Sequence, residues 1–391
     1  MYFNDFREFE KYKINIGLAL LILFLCLGYS SRVIPMAFLI QKAIALGSCI
    51  LLLAFLGPDK RFFKFLIFYV TIVVVCYLLR DQYYVGINTT TFIKAVLGVG
   101  LFYLVMSVNF GNYIYSVSTA YVLLPIIMVP ISFVFAQVFG FTNFQDGRYG
   151  AGLASAHYAF LSYFAVLFMC YYSLDQKRFS LMLYGLCVLL LLLSGSRGPL
   201  IAVFIPSLLL VRFIKRPSVR QKILLLSPII LFVLVKFLMS MIARTEMETF
   251  NTEGSFNLSG RDVAWEYFLA KVHGLNLFGG GLGSTPEITK GVREFNLYLF
   301  VAPHNEFIKF FMELGIIGCT LFFINIFLMF KIVFSQSRKE MRSFFILAFL
   351  GFMIITIFDN TFSTVQAYIP LALFLKYAIH NEQMRKTYAT Q

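Results

Sequence analysis

The sequence predicts an all-α, polytopic integral membrane protein that forms a single transmembrane domain over residues 1–391. Sixty per cent of the residues are hydrophobic and 13% are charged, whereas an ordinary soluble domain carries about 25% charged residues. Apolar runs of about 17 to 25 residues recur from end to end, and a helix of that length crosses roughly 30 Å of hydrocarbon. Composition and run length together argue against a water-soluble fold.

About twelve transmembrane spans are predicted from these runs. The residues before the first span are mixed in charge and no small-residue cleavage site follows it, so we expect this span to remain as an anchor. In chain order the predicted spans are 14–30, 33–57, 65–80, 91–108, 114–139, 153–174, 179–195, 199–213, 223–243, 304–333, 343–358 and 362–380.

The cysteines suggest neither a disulfide framework nor a zinc site. None forms a CxxC pair, and the predicted extracytoplasmic side shows no acidic cluster with metal-ligand spacing, so no metal and no cofactor are predicted. All six lie in apolar spans: Cys26, Cys49, Cys76, Cys170, Cys187 and Cys319.

Lysine and arginine are distributed unequally between the two sides of the predicted bundle. With the connections assigned alternately, nineteen of the 33 basic residues fall on the side of both termini and nine on the opposite side. The positive-inside rule therefore places both termini in the cytoplasm. This topology and the anionic headgroups account for most of the net charge of +14, so the lipid bilayer, and not nucleic acid, is the predicted partner.

The connection 244–303 is much longer than the others and is predicted to lie outside the cytoplasm, where long loops are commonly functional. Its stretch "GGGLGS" at 279–284 lacks a P-loop ending and a βαβ setting, and we expect a bend there. A short amphipathic helix, capped by Ser259, is predicted to lie in the membrane interface. Its apolar face comprises Val263, Tyr267, Phe268, Val272 and Leu275, with Trp265 near the edge.

Three arginines on the predicted extracytoplasmic side suggest an anion site. Arg197 lies in "SGSRGPL", where Gly195 and Gly198 permit a sharp bend before the next helix. The N–H groups at a helix start favour an anion, and a guanidinium matches phosphate oxygens. Arg261 in "SGRD" and Arg148 in "DGRYG" join it, so a diphosphate is the simplest ligand. Each arginine alone is also consistent with a solvated or snorkelling charge.

The stretch "PHNEFIKFFMELGIIG" opens the tenth span with a histidine. Pro303 and Asn305 are helix-start signals, which predicts His304 in the first helical turn. On a continuous helix Gly315 and Gly318 lie within about 20° and 40° of it, and small residues let a neighbour approach. This face is therefore predicted to look into the bundle. The helix start and nearby arginines should keep the imidazole neutral and able to accept a proton. A capping role is the alternative.

These residues resemble the family of O-antigen ligases and related polysaccharide repeat-unit polymerases. The resemblance rests on His-Asn, nine residues, Gly, two residues and Gly, which His304, Asn305, Gly315 and Gly318 match without a gap. It rests also on "SGSRG", and on "SGRDVAW" followed by "FGGGLGS" ahead of the histidine. The resembling region covers residues 145–320.

The resemblance implies a metal-independent, multi-pass glycosyltransferase of the bacterial inner (cytoplasmic) membrane. Its site and the loop 244–303 would face the periplasm. Such enzymes take a glycan from an undecaprenyl-diphosphate-linked oligosaccharide and join it to a hydroxyl of a glycan or lipid A-core acceptor, without a cofactor. A chain-length regulator is a further partner that the family suggests.

The resemblance also implies roles for particular residues. His304 would be the base that activates the acceptor, Arg197 and Arg261 would hold the diphosphate, and Arg148 is a weaker candidate for that role. The supporting residues would be Ser196, Asn305, Glu306, Gly315 and Gly318.

Several activities remain open at this point. A polymerase joins repeat units, a ligase transfers the finished chain to lipid A-core, and a third version glycosylates protein hydroxyls; the form of the two motifs favours the polymerase. A flippase for lipid-linked oligosaccharide would also need basic residues, but transporters place charges near the membrane midplane. A structural subunit would leave the outward arginines unexplained. The basic residues within predicted spans are Lys42, Lys94, Lys236, Lys309 and Lys376.

Overall fold

The computed structural model describes residues 37–80, 87, 89–140, 142–145, 148–176, 181–213, 261–272, 274–288 and 302–389. These residues are helical apart from one two-stranded hairpin and the connections, which confirms the predicted all-α class. The elements are α1 (Ala37–Leu56), α2 (Lys60–Leu78), α3 (Thr89–Ser107), α4 (Tyr113–Phe139), β1 (Phe144–Gln145), β2 (Arg148–Tyr149), α5 (Ser155–Gln176), α6 (Leu181–Leu193), α7 (Arg197–Phe213), α8 (Arg261–Ala270), α9 (Thr285–Ile288), α10 (Glu306–Gln336), α11 (Lys339–Phe358), a 3-10 turn (Thr361–Ser363) and α12 (Val365–Ala389).

Several of these helices are long and apolar enough to make the chain a multi-pass membrane protein. Among the described residues six helices meet that criterion, namely α2, α3, α4, α5, α10 and α11. Helices α1, α6, α7 and α12 coincide with further predicted spans. The predicted spans 14–30 and 223–243 fall outside the described residues, and the total of about twelve remains a prediction.

Helix α5 forms the centre of the bundle. Almost all of its Ser155–Leu174 stretch is buried, and it packs against α4, α6, α7 and α12. The fully buried Tyr158 donates its hydroxyl to the carbonyl of Pro125, at 2.7 Å. This bond fixes the first turns of α5 against α4.

Helix α10 is broken at Gly315, although the sequence predicts one continuous span there. Gly315 has φ 69° and ψ −178°, which is a conformation outside the helical region. The angles calculated around an uninterrupted axis are therefore wrong, and Gly315 does not share a helix face with His304. The prediction that Gly315 permits a close approach is correct, but the neighbour is a loop backbone and not a helix.

The residues 276–281 fill this break and satisfy the backbone groups that it exposes. The N–H groups of Gly280 and Gly281 donate to the carbonyls of Met312 and Glu313, at 2.9 and 2.8 Å. In return, the N–H groups of Ile316 and Ile317 donate to the carbonyls of residues 276 and 277, at 2.9 and 3.2 Å. Non-helical backbone at membrane depth persists only where protein or a polar cavity satisfies it.

Gly318 serves the packing of α10 on α2, as its small size predicts. A Cβ atom on this residue would lie 2.5 Å from the Cys76 sulfur. Further along the pair, the Asn325 side chain donates to the carbonyl of Phe65, at 3.1 Å. The two helices are thus antiparallel and in close contact.

The far end of the bundle is held by buried ion pairs. Asp59 precedes α2, which begins at Lys60 and not at the predicted residue 65 because the Asp59 side chain caps it through the N–H of Arg61. The carboxylate also lies 2.7 Å from both Arg61 Nη2 and Lys376 Nζ. Burial alone would raise the pKa of Asp59, but the bonds and charges of Arg61 and Lys376 lower it to about 2.

We predict that Gly315→Ala strongly destabilises the protein. Alanine at φ 69° is strained, and its methyl group would overlap the Leu277 carbonyl, so we expect a loss of about 2 kcal/mol or more. Thermal unfolding of the purified protein in detergent measures this loss. Gly185→Ala in α6 is the matched control, because no atom lies within 4 Å of its Cβ position. Equal melting temperatures for the two variants would contradict the role of the break.

Candidate active site

His304 lies immediately before the helix cap of α10, and not within the first turn as the sequence predicts. The cap is Asn305, whose Oδ1 accepts hydrogen bonds from the N–H groups of Phe307 and Ile308, at 3.0 and 3.1 Å. His304 has φ 48°, a conformation that non-glycine residues seldom adopt. Asn305 therefore fulfils the predicted supporting role as the cap, while His304 is turned away from the helix path.

Asp359 is the carboxylate that faces this histidine. It follows the last residue of α11, and its Oδ1 lies 3.7 Å from His304 Nδ1. The same oxygen accepts the N–H of Asn360, at 2.8 Å. Burial would raise the pKa of Asp359, but the His304 ring, this N–H and the charge of Arg261 together lower it. The side chain is therefore a carboxylate at neutral pH.

Helix α8 places Arg261 close to Asp359. Trp265 Nε1 donates to the Pro303 carbonyl at 2.7 Å, and its ring lies 6.4 Å from that of Phe358. Trp265 thus contacts the residues just before His304 and just before Asp359. Arg261 is one helical turn earlier, so it lies on the same face. Its Nε is buried and has no hydrogen-bond partner among the residues that the structure describes.

The predicted amphipathic character of this segment is correct only in part. Phe268 is fully buried and packs with Met312 of α10, so α8 rests on the bundle. The helix ends at Ala270, and Leu275 lies beyond it with 80% of its surface exposed, because the chain turns towards the break in α10. Ser259, the predicted cap, and most of the loop 244–303 fall outside the described residues, and an interfacial position for this loop remains a prediction.

His157, in the first turn of α5, completes the group around Asp359. Its ring is near enough to both Asp359 and His304 for their charges to act on it. The next residue, Tyr158, packs edge-on against Tyr149 with ring centres 5.2 Å apart. The start of α5 therefore links the histidine pair to the hairpin that carries Arg148.

Arg148 and the turn before Arg197 are in direct contact. Gly195 has φ +65°, and a Cβ atom on it would lie 2.9 Å from Arg148 Cγ. The bend predicted at this glycine is correct, whereas Gly198 is already part of α7. The N–H of Ser196 donates to the Ser194 hydroxyl, at 3.4 Å, which tightens the turn. Arg197 is the first residue of α7 and is half-buried.

The described candidate residues fall into two groups towards one end of the bundle, whereas Gly315 and Gly318 lie deeper, at the break in α10 and at its contact with α2. His304 and Arg261 surround Asp359, whereas Arg148 and Arg197 lie at the turn between α6 and α7. Glu306 is fully buried below them; its Oε1 accepts the Ser363 hydroxyl at 3.0 Å and lies 3.8 Å from Lys309 Nζ. No group of three His, Cys, Asp or Glu side chains within the described part of the chain has metal-site geometry.

Asp359 and His157 are the two residues of this site that our sequence analysis missed. A signal for both was present in the predicted topology. Asp359 directly follows the span 343–358, and His157 lies at the start of the span 153–174, so the alternating sides place both on the same side of the membrane as His304. Neither residue belongs to the arginine or histidine motifs from which the site was predicted.

The comparison with protein families gives one match over the middle of the chain. Residues 181–323 match the family model described as O-Antigen ligase, and no curated protein matches the chain. The matched segment includes Arg197, Arg261 and His304, while Asp359 lies beyond it. The match implies a glycosyltransferase-like role in O-antigen processing, with lipid-linked glycan substrates in a membrane environment. The match over residues 181–323 thus supports a relationship of this segment to the O-antigen ligase and polymerase family.

Proposed function

We propose that this protein transfers a glycan from an undecaprenyl-diphosphate-linked oligosaccharide to an acceptor hydroxyl at the periplasmic face of the bacterial inner membrane. The observation that carries the proposal is the placement of His304 between the Asp359 carboxylate and the α8 segment that bears Arg261. A proton acceptor, its orienting anion and a cation for a leaving group lie together there. Both termini would then be cytoplasmic.

His304 is the proposed general base. With Nδ1 facing Asp359, the carboxylate favours the tautomer that carries its proton on Nδ1, so Nε2 is the basic nitrogen. As Nε2 takes the hydroxyl proton, the same carboxylate stabilises the imidazolium that forms. Asp359 is therefore the group that we expect to orient the His304 ring. A positioned base of this kind contributes about 10²–10⁴ in rate.

The bond changes balance without a further reactant. The acceptor oxygen forms a bond to the anomeric carbon of the donor glycan, and the bond from that carbon to the diphosphate oxygen breaks. The electron pair leaves with the undecaprenyl diphosphate, and the proton passes to His304. Because the donor is already activated, no nucleotide is needed at this step.

The arginines are the proposed ligands of the leaving diphosphate. Arg261 has a buried Nε without a partner in the described residues, so a donor is available beside Asp359. Arg197 adds its guanidinium to the N–H groups at the start of α7, where an anion is favoured. Arg148, whose side chain contacts Gly195, is the weaker candidate for binding the diphosphate. Cations already in position stabilise the charge that develops in the transition state.

Two activities fit this chemistry, and we favour the polymerase. In a polymerase the acceptor is a lipid-linked repeat unit; in a ligase it is lipid A-core. The preference rests on the form of the "SGSRGPL" and "HNEFIKFFMELGIIG" motifs. Both use the same base and the same diphosphate ligands.

We predict that His304→Ala lowers glycan transfer by about 10²–10⁴ and that Asp359→Asn also lowers it, because the ring loses the carboxylate that favours its Nδ1–H tautomer and stabilises its imidazolium. Transfer from purified undecaprenyl-diphosphate donor in detergent measures both. His380→Ala is the matched control, since that histidine contacts Asn112 at the other end of the bundle. Normal transfer by the His304 variant would eliminate it as the base.

We predict that Arg197→Ala and Arg261→Ala each reduce kcat with the diphosphate donor by about 10²–10³. Lysine at either position should restore part of the rate, because it keeps the charge and loses the planar fork. Arg342→Ala, an exposed arginine at the start of α11, is the control. Donor kinetics that match the control would refute diphosphate binding by these two residues.

A gene deletion followed by gel analysis of the surface glycan distinguishes the two activities. If the protein is a polymerase, single repeat units on core are expected. Carrier-bound polymer together with bare core would identify a ligase instead. An unchanged glycan profile would contradict both forms of the proposal.

A further inference from the structure

A cavity of about 270 Å³ lies next to the candidate site, on the other side of the residues that carry His304 and Asp359. Its volume is close to the lower end of the roughly 300–1,000 Å³ of small-molecule sites. Ala302, two residues before His304, and Asn360, the residue after Asp359, both form part of its wall. The remaining wall comes from α1, α3, residues 282–286, α10 and Ser363 of the 3-10 turn.

Three lysines from three different helices line this cavity: Lys42 of α1, Lys94 of α3 and Lys309 of α10. We call this space the lysine cavity. Lys42 and Lys309 are near enough for their like charges to repel each other. Glu313 is the carboxylate that lines the cavity with them. An anion bound between the ammonium groups would remove the repulsion.

Among the described residues, the structure shows neither a hydrogen bond nor an ion pair for Lys42 or Lys94. Lys309 donates to the Ser363 hydroxyl and pairs with the buried Glu306. Lys42 Nζ lies near Gly98, 3.7 Å from the position of a Cβ atom there, and Lys94 is largely exposed. Lys42 and Lys94 therefore leave their side-chain nitrogens available to a ligand in the cavity, whereas Lys309 is also paired with Glu306.

The cavity wall also contains buried acceptors that need donors. Glu313 is completely buried; its Oε1 accepts the N–H of Thr285 at 3.3 Å, and its Oε2 has no partner in the described part of the chain. Asn360 Oδ1 is likewise buried without a partner there. A buried acceptor without a partner costs about as much as a lost hydrogen bond. Hydroxyl groups of a ligand would supply these donors.

We infer that the lysine cavity binds the acceptor substrate through a sugar that carries a phosphate or a carboxylate beside its hydroxyls. This inference rests on the proposed function, because it takes His304 as the base that the acceptor hydroxyl must reach. The lysine ammonium groups bind the anionic group of the sugar, and Glu313 and Asn360 accept hydrogen bonds from its hydroxyls. The shared wall at Ala302 and Asn360 brings such a sugar next to His304 and Asp359. The arginines remain for the donor diphosphate.

The test measures binding to the purified full-length protein in detergent, with no donor present. The probes are glucose 1-phosphate, glucuronate, inorganic phosphate and glucose, and the readouts are calorimetric affinity and the ligand-induced rise in melting temperature. Glucose 1-phosphate or glucuronate should bind, and which of them binds more tightly identifies the anionic group as phosphate or carboxylate. Glucose and inorganic phosphate should each bind at least about tenfold more weakly, since each lacks one half of the recognised chemistry.

Lys94→Gln is the main test of lysine-dependent binding, because this side chain is exposed and its replacement should leave the fold intact. It should weaken binding of the preferred probe about tenfold or more, and Lys94→Arg should restore most of the affinity. Lys42→Gln should act in the same direction. Lys331→Gln is the matched control, because Lys331 is exposed at the opposite end of α10. The Lys331→Gln variant should bind the preferred probe with the affinity of the unchanged protein.

Two results would overturn the inference: glucose binding as tightly as the anionic sugars, or both lysine variants retaining the affinity of the Lys331 control. Because no donor is present, these results do not depend on transfer. Anionic-sugar binding that requires Lys42 and Lys94, in a protein without transferase activity, would uphold the cavity and refute the proposed function. Normal transfer without lysine-dependent binding would uphold the proposed function and refute the role of the lysine cavity.

Discussion

The break in α10 at Gly315 and the loop that fills it depend on each other. Four backbone hydrogen bonds, two in each direction, join residues 276–281 to the two halves of the helix. In a membrane each of these groups would cost several kcal/mol if unsatisfied. The contact is possible only between glycines: a Cβ atom on Gly279 would lie 2.5 Å from the Gly315 nitrogen, and one on Gly315 would overlap the Leu277 carbonyl.

This mutual constraint fixes the walls of the candidate site. The loop continues from the break to Gly283, whose Cβ position is 3.0 Å from Ala95 of α3, and to Thr285, whose N–H holds Glu313. The loop thereby lies between α3 and the upper part of α10, which starts beside His304. His304, the proposed base, lies 3.7 Å from the Asp359 carboxylate, and the proposed role requires such a rigid support, because catalytic geometry tolerates only about 0.5 Å of error.

The sequence predicts the helices and the residue types of the site better than it predicts their arrangement. Run length and composition are local properties, so the spans within the described residues coincide with helices. The spacing of His304, Gly315 and Gly318 indicates close packing correctly. The break at Gly315 depends on backbone groups of residues 276–281, nearly 40 positions earlier, and no local pattern contains that information. Lys42, Lys94 and Lys309 look scattered along the chain for the same reason: only the packing of α1, α3 and α10 brings them to one cavity.

The charged groups buried at the two ends of the bundle differ in how completely their hydrogen-bonding atoms are paired among the described residues. At the end predicted to be cytoplasmic, Asp59 is bonded to Arg61 and Lys376, as expected for groups that stabilise the fold. At the other end, Arg261 Nε, Glu313 Oε2 and Asn360 Oδ1 are buried without partners in the described residues. Each such atom costs about 1–3 kcal/mol. A substrate that brings anions and hydroxyls to this end recovers that free energy on binding, so the unsatisfied groups favour the loaded site over the empty one.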